Sequence, residues 1–237
     1  MNNSSMSYFL LRRVHSLLGV FPLGIFLFNH LLTNATGIVS PKFFEEKVAL
    51  IHMLGPILPF VEAAFIFIPL SLHIALGIYI ALQARIEVGS TMPYGRNWAY
   101  ALQRWTGWIA LIFIVYHVLH LRFLHDMEKE PFSIVLGYMF GGSALSPLFV
   151  LGYLVGSLAV IYHFANGLCT FCMTWGLTVG PKSQMWMARV ATGVGAGLTL
   201  LLLTAIAAFA RDGMRVAGMN EVERAAYIAE LQSVHNH

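Results

Sequence analysis

Residues 147–175, PLFVLGYLVGSLAVIYHFANGLCTFCMTW, decide the fold. They lie inside a run from Pro131 to Pro181 that contains no Asp, Glu, Lys or Arg. About 20 predominantly apolar residues are enough for a helix to cross a bilayer. The run is too long for a buried strand and has no turn signals at strand spacing, so it reads as a membrane-spanning helix. Within it sits His163. A polar group of this kind is costly in hydrocarbon and marks a functional site.

The same reading extends to the rest of the chain. Nearly charge-free segments at 14–33, 59–83, 104–124, 147–175 and 186–210 give five expected spans. The 237 residues are 58% hydrophobic and 11% charged, with mean hydropathy +0.71. A soluble domain carries about 25% charge, so the chain is expected to be an all-α integral membrane protein. The expected domain layout is a five-helix membrane body over 1–210 and an extramembrane tail over 211–237. In that tail Asn220 followed by Glu223 has the form of a capping box, which predicts a short helix through Leu231.

Lysine and arginine set the expected orientation. One side holds Arg12, Arg13, Arg85, Arg96, Arg104, Lys182 and Arg189, with Glu87 the acid nearby. The other holds Lys42, Lys47, Arg122 and Lys129 against Glu45, Glu46, Asp126, Glu128 and Glu130. The N-terminus is therefore expected on the cytoplasmic side of the cell inner membrane, and the first segment is expected to persist as a mature helix. A pI near 9.0 follows from this topology. No basic patch is interleaved with aromatics, so no nucleic-acid partner is expected.

Three more histidines share the setting of His163. His30, His73, His117 and His163 are separated by 43, 44 and 46 residues, about one span plus one loop. Counting along antiparallel spans at 1.5 Å per residue puts His30 and His117 within roughly 10 Å of the outer ends, and His73 and His163 more than roughly 20 Å down. Two ligands at one depth on different helices can face each other across a planar macrocycle. Two bis-histidine haems b in a four-helix part of the bundle is the simplest chemistry for such a set. A membrane transporter with structural histidines is the rival. A proton relay would bring intramembrane acids as partners, and Glu62 is the one acid within the expected spans.

Other motifs read as structural. Gly77 and Gly167 follow His73 and His163 by four positions, on the same helix face, and are expected to make room for a flat ring. Gly193, Gly195 and Gly197 sit within a span without a preceding strand, which excludes a nucleotide loop. Cys169 and Cys172 lack the following histidine of a c-type haem attachment and read as free buried thiols. His120 is expected to play a secondary part beside His117. His15, His52 and His125 fall near membrane edges, where a hydrated histidine needs no special role.

Several segments carry a family resemblance. They are 11–19 (LRRVHSLLG), Gly24-Ile25-Phe26-Leu27 running to His30, Arg96-Asn97-Trp98, Leu102-Gln103-Arg104 with Thr106-Gly107, and His163-Phe164-Ala165-Asn166-Gly167. Together they resemble the cytochrome b membrane anchor of succinate dehydrogenase, in the single-polypeptide, five-helix, di-haem form. The resemblance covers about residues 8–210. It implies a flavoprotein and an iron–sulfur protein as partners, haem ligand pairs His30–His117 and His73–His163, and a quinone as electron acceptor, menaquinone by resemblance. Two cysteines cannot hold iron–sulfur clusters, so those belong to the partner.

The expected function is electron transfer from the iron–sulfur partner through both haems to the quinone. The haem b subunit of another respiratory dehydrogenase remains an alternative. Arg12, Arg13, Arg104 and Lys182 are candidates for pairing with haem propionates. Glu62, at a depth similar to His30, is the candidate for carrying protons to the quinone.

Overall fold

The computed structural model describes residues 3–83, 95–125 and 130–236. Arg85, Glu87, Asp126, Glu128, Lys129 and the side chain of Arg96, which entered the orientation reading, lie outside that description. The described residues form helices and no strand. Among the described residues, five helical stretches are long and apolar enough to cross a membrane: Met6–Ile38, Gly55–Gln83, Trp98–Phe123, Ser146–Thr174 and Pro181–Ala217. Ile112, Leu148 and Leu200 are each about two-thirds exposed or more. A water-soluble monomer rarely exposes so many large apolar side chains on its longest helices, whereas lipid covers them.

The first span is α1 (Asn3–Val20), α2 (Pro22–Ala35) and a 3₁₀ turn at Thr36–Ile38. The interruption falls before Pro22, which has no N–H and crowds the carbonyl four residues back. The bonds Phe21 N to Leu17 O (3.0 Å) and Ile25 N to Phe21 O (3.2 Å) bridge it. The span runs past its expected end at Thr33. Asn34 donates to His30 O and Thr36 to Thr33 O, so these two polar side chains are satisfied by the helix itself.

After α3 (Pro41–His52), the second span passes through Gly55–Ile57, α4 (Leu58–Glu62), a π turn at Ala63–Phe67 and α5 (Ile68–Gln83). The π turn lies just upstream of Pro69. Its wider coil accommodates a ring that would strike the carbonyl of Phe65 in a regular helix. The third span is α6 (Gly95–Val118) and a second π turn, Leu119–Phe123. After α7 (Phe132–Gly137) and the π turn Tyr138–Gly142 comes α8 (Ser146–Thr174), the fourth span. It ends in a Schellman motif. Gly176 adopts φ +74°, with Leu177 N bonded to Cys172 O (2.8 Å) and Gly176 N to Met173 O (3.2 Å). A glycine takes that left-handed conformation without a Cβ clash.

The fifth span is α9 (Pro181–Ala217), which opens with proline at the first helical position. It continues seven residues beyond the expected boundary at Ala210. The polar residues that end the apolar pattern are paired: buried Asp212 accepts from Arg215 at 2.9 Å and from Tyr227 at 3.2 Å. Beyond it, α10 (Glu221–Ser233) has the expected capping box, with Asn220 and Glu223 bonded reciprocally to each other's backbone.

The chain divides into two compact units: Met1–Leu27 with Pro59–Ile112 and Leu158–Gly197, and Phe28–Leu58 with Phe113–Ser157 and Leu198–His237. The second unit contains the docked tail. Leu231 of α10 is fully buried against Ile134 and Val216, with Met219, Tyr227 and Ile228 around them. Beneath it α7 meets α9 backbone to backbone. A Cβ on Gly213 would come within 1.9 Å of the Gly137 carbonyl oxygen.

Candidate functional site

In the first unit His73 on α5 faces His163 on α8. Their ring centroids are 6.2 Å apart and their planes nearly perpendicular, at 89°. His73 Nδ1 donates to His15 O at 2.9 Å, and His163 Nδ1 donates to Gln103 O at 3.0 Å. A carbonyl oxygen only accepts, so both rings carry their proton on Nδ1. Nε2 is left with its lone pair, the state of a metal-binding imidazole.

In the second unit His30 on α2 faces His117 on α6, with centroids 5.7 Å apart and planes at 87°. Phe113 stacks on His117 at 5.6 Å, and the Tyr153 hydroxyl lies 3.4 Å from His117 Nδ1. His120 instead stacks on Tyr116, at 5.5 Å and 18°. The structure therefore brings together the two pairs expected from the sequence and leaves His120 outside them.

Within each pair the two histidines stand at similar distances from their span ends. His30 lies eight residues before Ile38 and His117 six before Phe123, while His73 follows Gly55 by 18 residues and His163 follows Ser146 by 17. Glu62, half-buried, closes α4 just before the π turn. It stands eleven residues from His73, about 16 Å along the helix.

His15 corrects the sequence reading. It is not a hydrated edge residue: its ring stacks on His73 at 3.9 Å and 13°, and its Nδ1 donates to His73 O at 3.0 Å. The glycines are also used differently from the expectation. Gly77 receives the ring of His15, and a Cβ there would lie 3.0 Å from its Cε1. Gly19 and Gly107 receive His73 and His163, with corresponding distances of 2.6 and 3.1 Å. Gly167 faces the Gln103 side chain at 3.7 Å. Each of these glycines thus takes a side chain from the neighbouring helix. The signal was present in the sequence, where His15 and Gln103 are each followed by glycine four positions on, as His73 and His163 are.

Of the candidate arginines, Arg13 donates to Thr174 O at 3.4 Å and lies over the rings of Phe9 and Trp175. It thus serves the carbonyl end of α8, where a cation is favourable. Arg104 bonds and stacks on Tyr100. Cys169 and Cys172 are free, as expected, but half-buried rather than buried.

A multi-pass helical membrane protein whose histidines face each other in pairs has the make-up of a cytochrome-b-type subunit. No family model matches the chain. The succinate dehydrogenase cytochrome b558 subunit of Bacillus subtilis (strain 168) is 40% identical over 204 residues, covering 85% of this chain and 96% of that protein. The chain belongs to the succinate dehydrogenase cytochrome b558 subunit family.

Proposed function

We propose that this chain is the membrane-anchor and electron-transfer subunit of a succinate:quinone oxidoreductase, with one haem b on His73 and His163 and a second on His30 and His117. The observation that carries the reading is the pair of perpendicular histidine couples, at 6.2 and 5.7 Å between centroids. Imidazole nitrogens stand ~2.0–2.1 Å from a bound metal ion, which puts two rings on opposite sides of one ion about 6 Å apart. Both couples have that spacing. Among the described residues no three or more His, Cys, Asp or Glu converge on one point. Two imidazoles in each couple are what a haem b would need from the protein, with His73 and His163 holding one and His30 and His117 the other.

When bound, such a haem supplies reversible one-electron transfer at an iron with no open coordination position. The chain's residues supply the setting. The carbonyls of His15 and Gln103 fix the tautomer of His73 and His163 and restrain their rings, which leaves Nε2 free to act as a ligand. The relative's name, a cytochrome b558 subunit of succinate dehydrogenase, supports a flavoprotein and an iron–sulfur protein as partners. The resemblance supports menaquinone as the acceptor, and the lysine and arginine distribution supports a cytoplasmic N-terminus in the cell inner membrane. Glu62 is assigned the delivery of protons to the quinone.

The test is purification of the intact complex. A reduced-minus-oxidised spectrum with pyridine haemochrome analysis is expected to give two haems b per chain, together with succinate:quinone activity. A chain without haem would sink the reading. Two haems without succinate oxidation would move it to another respiratory dehydrogenase.

A further inference from the structure

One interlocking contact occurs twice in the first unit. On α1 and α5, His15 Nδ1 donates to His73 O at 3.0 Å and His73 Nδ1 donates to His15 O at 2.9 Å. Each ring lies against the glycine four residues beyond the other histidine, Gly77 and Gly19. On α6 and α8, Gln103 Nε2 donates to His163 O at 3.0 Å and His163 Nδ1 donates to Gln103 O at 3.0 Å. Again each side chain lies against the glycine four residues beyond its partner, Gly167 and Gly107. The geometry is the same on both helix pairs, with glutamine in the place of one histidine.

We infer that His15 and Gln103 are equivalent positioning residues of the His73–His163 site. Each lends its backbone carbonyl to the Nδ1–H of one facing histidine and returns its own side chain to that histidine's carbonyl. The inference rests on the reading of His73 and His163 as haem ligands. The returning side chain matters because the carbonyl alone cannot hold the helices in register. Two opposed bonds, each beside a groove opened by glycine on the same face, fix the helices against sliding and so fix the imidazole. Neither residue takes the metal position relative to its partner. His15 lies face to face with His73 at 3.9 Å, well short of the about 6 Å that an ion between two rings requires. The Gln103 amide is further held by Asn166, which donates to its Oε1 at 2.8 Å.

The prediction is that glutamine and histidine exchange freely at these two positions while alanine fails. The experiment uses the full complex carrying His15→Ala, His15→Gln, Gln103→Ala or Gln103→His, with His73→Ala as reference. Midpoint potentials of both haems, the low-spin ferric resonance and haem retention in detergent are read. Either alanine variant is expected to lose the haem on His73 and His163 ~10–100-fold more readily. Its potential is expected to rise, because a loosened Nδ1–H···O bond makes Nε2 a weaker donor to ferric iron. The haem on His30 and His117 should be unchanged, and both exchange variants should return to wild type. Alanine variants with wild-type potential, resonance and retention would overturn this inference alone, provided His73→Ala removes one haem. Exchange variants no better than alanine would also overturn it. If His73→Ala retains both haems, the ligand reading falls and the inference with it.

Discussion

Glu45 and His235 meet at 2.9 Å, Oε2 to Nε2, although 190 positions separate them in the chain. Glu45 is fully buried, and its other oxygen accepts the backbone N–H of Ser133 at 2.7 Å. One carboxylate thus ties the end of the tail to α3 and to the start of α7. Removing it leaves a buried donor without a partner, which costs about 1–3 kcal/mol. Glu45→Ala is therefore expected to accelerate hydrogen exchange over 218–236 by roughly 5- to 150-fold. The exposed pair Lys42–Glu230, at 3.7 Å, is the control. Lys42→Ala should change exchange by no more than the ~1 kcal/mol of a surface pair. Equal effects from the two variants would contradict this account of the tail.

Tyr227 makes the docking pH-dependent. Burial and the neighbouring Asp212 carboxylate push its phenol above the ordinary value near 10.0. The folded state then holds the proton more tightly than the free tail does. Its contribution is fully present below about pH 10 and is lost as pH rises further. A fluorophore at the C-terminus should report release of the tail as pH climbs past about 10. Tyr227→Phe should flatten that response and weaken docking at neutral pH. An unchanged pH profile in the variant would rule Tyr227 out as its source.

Five spans and two histidine pairs were legible in the sequence because both are properties of position along a helix. Apolar length gives the spans, and antiparallel order gives the depths of His30, His73, His117 and His163. The role of His15 was not legible by that route. Its place near a span end suggested hydration, whereas its stacking on His73 depends on the facing glycines of two different helices. The extension of α9 to Ala217 was hidden for a related reason. Asp212 and Arg215 look like the start of a polar tail until Tyr227, 15 residues further on, closes on the carboxylate. In both cases the deciding partner lies on another helix, out of reach of periodicity.

The two histidine pairs are expected to fail independently. His30 and His117 fall in one compact unit, and His73 and His163 in the other. His30→Ala or His117→Ala should remove one haem and leave the spectrum of the second intact, while His73→Ala or His163→Ala should do the converse. His120→Ala should keep both, since its ring packs on Tyr116. Redox difference spectra of the purified complexes decide this. Joint loss of the haem in His30→Ala and His73→Ala would mean that these two residues share one site.

For the quinone reduction proposed above, the spans offer two acids that could deliver protons. Within the five spans the only carboxylates are Glu62 and Asp212. Asp212 is committed to structure: it is 4% exposed and bonded to Arg215 and Tyr227. A carboxylate whose oxygens are already taken by a guanidinium and a phenol is poorly placed to hand a proton to another molecule. Glu62 sits seven residues inside the second span, half-buried, at the point where the regular helix gives way to the π turn. Such turns are frequent at functional sites. Quinone reduction consumes protons as well as electrons, and a positioned acid typically contributes 10²–10⁴-fold to such a step. Glu62→Gln is therefore expected to lower quinone-dependent kcat by at least ~100-fold, with both haems retained and succinate oxidation by an artificial acceptor unaffected. Glu62→Asp should recover part of the loss, since the acid is kept and only its reach is shortened. Asp212→Asn should spare turnover while loosening the tail. Full quinone turnover in Glu62→Gln would remove Glu62 from the mechanism. Loss of turnover in Asp212→Asn with the tail still docked would transfer the proton-carrying role to Asp212.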